Sequence, residues 1–184
     1  MVKERCQDIR LPDGKLLDLS RPVVMGILNV TPDSFFDGGQ YLDADSILKQ
    51  VEKMLREGAA ILDIGGASSR PGAVEVSESE EMLRILPSIE LIRKNFPDAV
   101  ISVDTWRANV ASAAVQAGAH IVNDVSAGNL DPKMFETVAK LGVPYILMHM
   151  QGTPDTMQKN PHYEDVVTEV LDFFIRKTEI LRGL

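Results

Sequence analysis

Val23-Val24-Met25-Gly26-Ile27-Leu28-Asn29-Val30 is a nearly continuous apolar run with an amide near its end, and four more apolar runs follow it. Ala60 to Ile64, Val100 to Val103, His120 to Val122 and Val143 to Met148 share the character of short buried strands. Longer stretches of helical period separate them. From Ala44 to Glu57, apolar Ile47, Leu48, Val51, Met54 and Leu55 recur at helix spacing, and Gly58 stands where a helix stops. Ser77-Glu78-Ser79-Glu80 predicts a capping box at the start of the next helix, and Pro87 predicts a kink within it. From about His162 to Leu181 a stripe of Tyr163, Val166, Val167, Val170, Leu171, Phe174 and Ile175 predicts an amphipathic helix packed on a partner. Strand, helix, strand in strict succession implies an α/β fold with a parallel sheet and right-handed crossovers. Ahead of it, Asp13-Gly14 between Ile9-Arg10-Leu11 and Leu16-Leu17 predicts a small hairpin within residues 1–20, capping one end of the sheet.

Composition narrows the class. The 184 residues suit one domain, 1–184, and 45% hydrophobic with 25% charged residues describes a folded globular chain. Nineteen Lys and Arg against 27 Asp and Glu give a net charge of −8, which argues against a nucleic-acid-binding surface. Cys6 is the single cysteine, so no internal disulfide forms, and neither a signal-peptide pattern nor a long apolar span occurs. The expectation is a cytoplasmic protein with no membrane partner.

In a parallel α/β sheet, ligands bind beyond the carboxyl ends of the strands. Each strand here carries, at or near its end, side chains that a core would not select: Asn29 after the first, Asp63 within the second, Asp104 after the third, Asn123 with Asp124 after the fourth, and His149 after the fifth. Any one of them also reads as an ordinary helix cap or turn residue. Together, on neighbouring strands, they would make an arc of acids and amides suited to the edge of a flat heterocycle. The first loop, Asn29 to Gly39, carries Phe35 and Phe36 among polar and glycine positions, and reads either as a lid or as an Asp-Gly-Gly turn with its aromatics on the rim. The second, Gly65-Gly66-Ala67-Ser68-Ser69-Arg70-Pro71-Gly72, joins close backbone approach to hydroxyls and a guanidinium, the composition of a phosphate or pyrophosphate site. Asn29 beside it is a candidate contact for Mg²⁺, which favours oxygen ligands, keeps waters and shares phosphate oxygens. His120, His149 and His162 lack metal-site spacing, and no G-x-S-x-G, P-loop or G-x-G-x-x-G motif occurs.

Met25-Gly26-Ile27-Leu28-Asn29-Val30-Thr31-Pro32-Asp33-Ser34-Phe35-Phe36-Asp37-Gly38-Gly39 resembles the first signature of dihydropteroate synthases. Residues 58–72 are similar to the second signature, and Ile101 to Thr105, Ile121 to Ser126 and Leu147 to Pro154 are similar to the later strand-end motifs. The resemblance implies a (β/α)₈ barrel of the pterin-binding type. It also implies condensation of 6-hydroxymethyl-7,8-dihydropterin pyrophosphate with 4-aminobenzoate to give 7,8-dihydropteroate and pyrophosphate, a folate-pathway transferase step that sulfonamides inhibit. Carried over, Asp104 and Asn123 hold the pterin edge and Met148 lies against its ring. Asn29 meets Mg²⁺ or pyrophosphate, Ser69 and Arg70 meet the leaving pyrophosphate, and Phe35 and Pro71 form the aminobenzoate pocket. Asp37 pairs with Arg70 when the loops close, and no residue is assigned as general base. Ser69 stands where the family usually has threonine, and Ala67 where it commonly has glutamate.

A (β/α)₈ barrel usually takes ~250 residues, whereas five strand-helix units of eight are recognisable here. The expectation is therefore an N-terminal portion, lacking the later Asp-Pro-Gly, Ser-x-Lys and Arg-x-His segments, from a family whose full-length members are expected to be homodimers. Two alternatives stand beside the synthase: a pterin-binding module of the methyltetrahydrofolate-corrinoid methyltransferase type, and a fragment with no ligand function of its own.

Overall fold

The computed structural model describes residues 8–31, 36–37, 41–67, 76–154 and 156–184, with the backbone alone at 36, 37, 41 and 42. Strands β1 (Asp8–Arg10) and β2 (Leu16–Asp18) form an antiparallel hairpin closed by the turn at Asp13-Gly14. Strand β3 (Val24–Asn29) then enters the main sheet. Two short strands, β4 (Phe36–Asp37) and β5 (Tyr41–Leu42), pair antiparallel. Helix α1 (Ala44–Arg56), strand β6 (Ala59–Gly65), helix α2 (Glu78–Asn95) and strand β7 (Val100–Asp104) follow. Helix α3 (Ala108–Ala117), strand β8 (Ile121–Asp124), helix α4 (Met134–Leu141), strand β9 (Tyr145–Leu147) and helix α5 (Val166–Arg182) complete the chain.

The main sheet is parallel throughout, in the order β3-β6-β7-β8-β9. Each new strand lies beside the one before it. Repeated right-handed crossovers of this kind leave the helices on one face, and the order is that of an opening (β/α) barrel sheet rather than a doubly wound one. Alternation along each strand makes two surfaces. Leu28, Leu62, Ile64, Ile101, Val103 and Val122 point to the helix side, where they are buried with Ile47 and Val51 of α1, Ile85, Ile89 and Ile92 of α2, Val110, Ala111 and Ala114 of α3, and Met134 and Val138 of α4. Burying a side chain of this size contributes roughly 1.5–3 kcal/mol, so this face supplies most of the cohesion.

Among the described residues the opposite face is covered only toward its lower end. There Leu11 and Leu17 of the hairpin bury Ile61 and Ile121, and Ile9, Met25, Val100 and Ile146 close around them. Polar contacts fasten the hairpin as well. Lys15 Nζ reaches the Pro97 carbonyl at 3.2 Å and Asp98 at 3.1 Å, and Asp13 lies 3.3 Å from His120 Nε2.

Two local expectations are revised, the cap of α2 and the stripe of α5. At the start of α2 the Ser77 hydroxyl accepts from the Glu80 amide at 3.2 Å, but the Glu80 carboxylate turns to Arg84 Nε at 3.1 Å, so half a capping box forms. Helix α2 runs unbroken from Glu78 to Asn95 with Pro87 inside it, on the outer side beside exposed Leu83. Helix α5 starts at Val166, with Asp165 as its cap, and only part of its expected apolar stripe is covered: Tyr163 packs on His149 and Val170 and Phe174 are half-buried. Val166, Val167, Leu171 and Ile175 are 52%, 73%, 57% and 44% exposed. Phe173, Lys177 and Leu181, spaced four apart, add a contact that the stripe does not include. Phe173 stacks edge-on against His149, Lys177 lies 5.2 Å from the Phe135 ring centre, and Leu181 reaches the helix-side core. A long cationic side chain can line a contact through its methylene stem, which apolar periodicity does not count.

Candidate functional site

Strand register builds the site. Asn29 pairs with Gly65, Gly65 with Asp104, and Asp104 with Asn123, so four strands contribute one row across the open face. Two residues lower, Ile27, Asp63, Ser102 and Ile121 form the next row on that face. Because side chains alternate with period two, Asp63 points the same way as the row above it. The Asn123 amide donates to Asp63 Oδ2 at 3.0 Å. A Cβ on Gly65 would meet Asn29 Oδ1 at 3.3 Å and Asp104 Oδ2 at 3.5 Å, so the missing side chain opens a gap that both oxygens border. Asp104 and Asn123 therefore share one mouth, and Asn29 reaches it from the edge strand.

The electrostatics are those of buried, crowded acids. Burial pushes the Asp104 carboxyl up to about 7, with Asp63, Glu81 and Asp124 adding repulsion. Burial also raises Asp63, opposed by the neighbouring Ser102 hydroxyl and the Asn123 amide. Asp63 Oδ1 and Ser102 Oγ are buried but, among the described residues, fall short of hydrogen-bond geometry with a partner. An unsatisfied buried acceptor costs about 1–3 kcal/mol. A ligand edge rich in N–H donors removes such a cost, which is the chemical task this arrangement suits.

Other strand-end groups do different work. Asp124 is fully buried on the helix side, accepting from the Ser126 amide at 2.7 Å, the Gly128 amide at 2.8 Å and the Tyr145 hydroxyl at 2.6 Å. Those bonds arrange the turn after β8, so the ordinary turn-residue reading holds for Asp124. His149 packs against Tyr163 and Phe173, with ring centres 5.9 Å and 4.9 Å away. Met148 follows β9 directly and is half-buried. Asp37 is described only through its backbone in β4, and Phe35, Ser69, Arg70 and Pro71 lie outside the described residues. Among the described residues no group of three or more His, Cys, Asp or Glu is arranged to hold a metal ion. The oxygens of Asn29 and Asp104 bordering the Gly65 gap are hard donors that fit a cation completing its shell with waters and phosphate oxygens. Asp63 is the residue that strand-end reading underweights. Its signal is parity, because it lies two positions before Gly65 in the same strand.

A one-sided parallel (β/α) sheet with acids and amides gathered at its carboxyl end has the layout of a barrel-type ligand site. The chain belongs to the family described as pterin binding enzyme, whose profile matches residues 25–183. It is 52% identical to the dihydropteroate synthase of Haemophilus influenzae over 166 residues, covering 90% of this chain and 60% of that protein. Among solved structures, a Yersinia pestis dihydropteroate synthase in a sulfonamide drug complex superposes with a TM-score of 0.86 at 46% identity, covering 96% of this chain and 63% of that one. A Burkholderia cenocepacia dihydropteroate synthase complexed with 7,8-dihydropteroate gives a TM-score of 0.80 at 38% identity, covering 96% and 58%. The chain thus spans about 60% of the length of such relatives.

Proposed function

We propose that this chain supplies the pterin-holding half of a dihydropteroate synthase site, which joins 6-hydroxymethyl-7,8-dihydropterin pyrophosphate to 4-aminobenzoate. The row of Asn29, Gly65, Asp104 and Asn123 above Asp63 carries the reading. In it, Asp104 accepts the paired N–H donors of the pterin edge, and Asn123, held by Asp63, presents its amide to the same ring. Met148 lies against the ring face. Ser69 and Arg70 take the leaving pyrophosphate, Phe35 and Pro71 line the aminobenzoate pocket, and Asp37 pairs with Arg70 on closure. Asn29 is the residue that would hold Mg²⁺, which when bound supplies positive charge opposite the pyrophosphate.

The aminobenzoate nitrogen forms a bond to the methylene carbon of the pterin as the carbon–oxygen bond to pyrophosphate breaks, and the electron pair leaves with pyrophosphate. The nitrogen then gives its extra proton to solvent. An electron-rich ring favours departure, so the protein's part is to orient two substrates and neutralise the leaving charge. No side chain is required as a strong base. Homodimerisation and a cytoplasmic site of action belong to the same proposal, and no helix among the described residues is long and apolar enough to cross a membrane.

The test is coupled pyrophosphate release from dihydropterin pyrophosphate in the full-length protein. Release dependent on 4-aminobenzoate is expected. Pterin binding without release would return the protein to the binding-module reading, and calorimetry showing no pterin binding would remove both.

A further inference from the structure

Asp63 and Asp124 are both buried acids at the carboxyl end of the sheet, and the fold uses them differently. Asp124 accepts from two backbone amides and the Tyr145 hydroxyl, bonds that shape the turn after β8. Among the described residues, the polar neighbours of Asp63 are the side chains of Asn123 and Ser102, and its hydrogen bond runs to the Asn123 amide. Neither neighbour carries a positive charge. A carboxylate so placed costs stability that an apolar side chain of similar size would not, so its place calls for a reason outside packing.

The bond between them crosses a whole strand. Asp63 lies on β6 and Asn123 on β8, with β7 between. Two features of β7 open the path: Ser102, which pairs with Asp63, is small, and Asp104 leans toward β6, where its Oδ2 borders the Gly65 gap. The backbone of Asn123 is fixed, because it pairs with Asp104 and Ile146 and its carbonyl accepts the Thr105 amide at 3.0 Å. What remains free is the turn of its side chain. An amide turned end for end exchanges an N–H donor for a carbonyl acceptor at nearly the same shape. An ionised carboxylate only accepts, so it admits one of the two orientations. With Nδ2 drawn to Asp63 in the lower row, Oδ1 is left on the upper side, in the row that Asp104 shares.

We propose that Asp63 is a positioning residue that turns the Asn123 carbonyl oxygen toward the mouth, so that this position selects a ring edge presenting an N–H donor and rejects one presenting a carbonyl oxygen. This rests on the functional reading above, in which Asn123 meets the pterin ring. Asp63 is 4% exposed and is assigned no contact with substrate, whereas Asp104 and Asn123 are half-buried and open to it. Their acceptors, side by side, complement a ring whose exocyclic amine adjoins ring N–H groups. A carbonyl oxygen in place of the amine sets acceptor against acceptor and leaves both without a partner, which costs more than a missing bond.

The experiment measures, by calorimetry in the full-length protein at pH 8, the affinities of 6-hydroxymethylpterin, whose exocyclic amine donates, and 6-hydroxymethyllumazine, in which a carbonyl oxygen replaces that amine. Asp104 is largely ionised at that pH, so loss of the Asp63 charge changes its part little. The unsubstituted protein should prefer the pterin by at least about 100-fold. Asp63→Asn keeps the size but can donate to Asn123 Oδ1 and let that amide turn over, so the preference should narrow about 10-fold, chiefly through weaker pterin binding. Equal losses for both ligands, or no change for either, would make Asp63 a purely structural acid and overturn the proposal. An unsubstituted protein that binds the two ligands alike overturns the proposal but leaves pterin binding intact, whereas one that binds neither removes the functional reading beneath it. Where Asp63→Asn does not fold, the side-chain amide of Asn123 decides, read by magnetic resonance in unsubstituted protein carrying isotope-labelled asparagine. One of its protons should be shifted and slow to exchange, as a bond to a buried carboxylate requires, and two freely exchanging protons would overturn the assignment.

Discussion

The two ends of the open sheet face are built from the same strands, yet they answer to protons in opposite directions. At the carboxyl end, Asp104 and Asp63 are crowded acids whose carboxyls burial raises, Asp104 to about 7. At the amino end, His120 is buried beneath the hairpin, accepting the Ile101 amide on Nδ1 at 3.1 Å with Asp13 at Nε2. Burial and then Arg93 lower its affinity for a proton, with Lys15 adding to them and Asp13 opposing. A folded state that keeps a proton on Asp104 becomes less stable as pH rises from 3.8 toward 7. A folded state that refuses a proton at His120 becomes less stable as pH falls through 6.5 and below. The difference marks which end is finished by the protein itself. The hairpin satisfies the lower end, while the upper end keeps a cost that a donor-bearing ligand removes.

Replacing Asp104 with Asn should break the comparison most strongly. The amide keeps the shape but loses the charge that strengthens paired N–H bonds, so affinity for a pterin should fall about 100-fold, the loss of a charge-assisted bond pair. Stability at pH 8, read by denaturant unfolding, should rise by about 1–3 kcal/mol as the crowded charge disappears. A variant that loses both affinity and stability would mean that Asp104 is a structural carboxylate. In the unsubstituted protein, pterin affinity should strengthen as pH rises through about 7, because the ligand-binding form of Asp104 is the ionised one.

That asymmetry explains what the primary structure reveals. The strands are legible because parallel strands write themselves as unbroken apolar runs, and Asn29, Asp104 and Asn123 stand out where those runs stop. Which acids serve the mouth is harder to see. Adjacency misleads: Asn123 and Asp124 are neighbours in sequence, yet alternation sends one to the open face and the other to the turn network with Tyr145. Asp63 sits inside a strand rather than at its end, and only the register with Ser102 places it under Asp104 and Asn123. The docking stripe of α5 is hidden for a different reason: periodicity finds an apolar face but not the surface that receives it. Lys177 takes a core-facing position there through its contacts with Phe135 and Asn129.

The lower end should respond to truncation without touching the ligand. Leu17→Ala removes a buried hairpin side chain packed on Ile61 and Ile121, and should cost about 2 kcal/mol, at the low end for such changes because the hairpin can settle. Pterin affinity measured in parallel should stay within about 2-fold, since distant sites act independently. A large loss of affinity would show that the two ends are coupled through the strands. A smaller effect separates their proton responses. His120→Gln keeps an acceptor for the Ile101 amide but cannot titrate, so the loss of stability below pH 6.5 should flatten, read by denaturant unfolding at pH 7 and pH 5. The opposing slope from Asp104 should remain in that variant.

Gly65→Ala should have the smallest effect and makes the finest cut. The residue is buried and its backbone is not in the left-handed region, so alanine costs little in conformation. The new methyl would enter the gap bordered by Asn29 Oδ1 at 3.3 Å and Asp104 Oδ2 at 3.5 Å, and those two side chains can give way by tenths of an ångström because both lie at the open mouth. Unfolding free energy should therefore change by less than about 0.5 kcal/mol. What the methyl does occupy is space that a ligand edge or a phosphate-bound cation needs between the two oxygens. Affinity for dihydropterin pyrophosphate should drop about 3- to 10-fold, with bare pterin less affected, on the proposed assignment of Asn29 to the phosphate side of the row and Asn123 to the ring side. An equal drop for the two ligands would instead place the ring directly over Gly65 and move the boundary between the subsites toward β3.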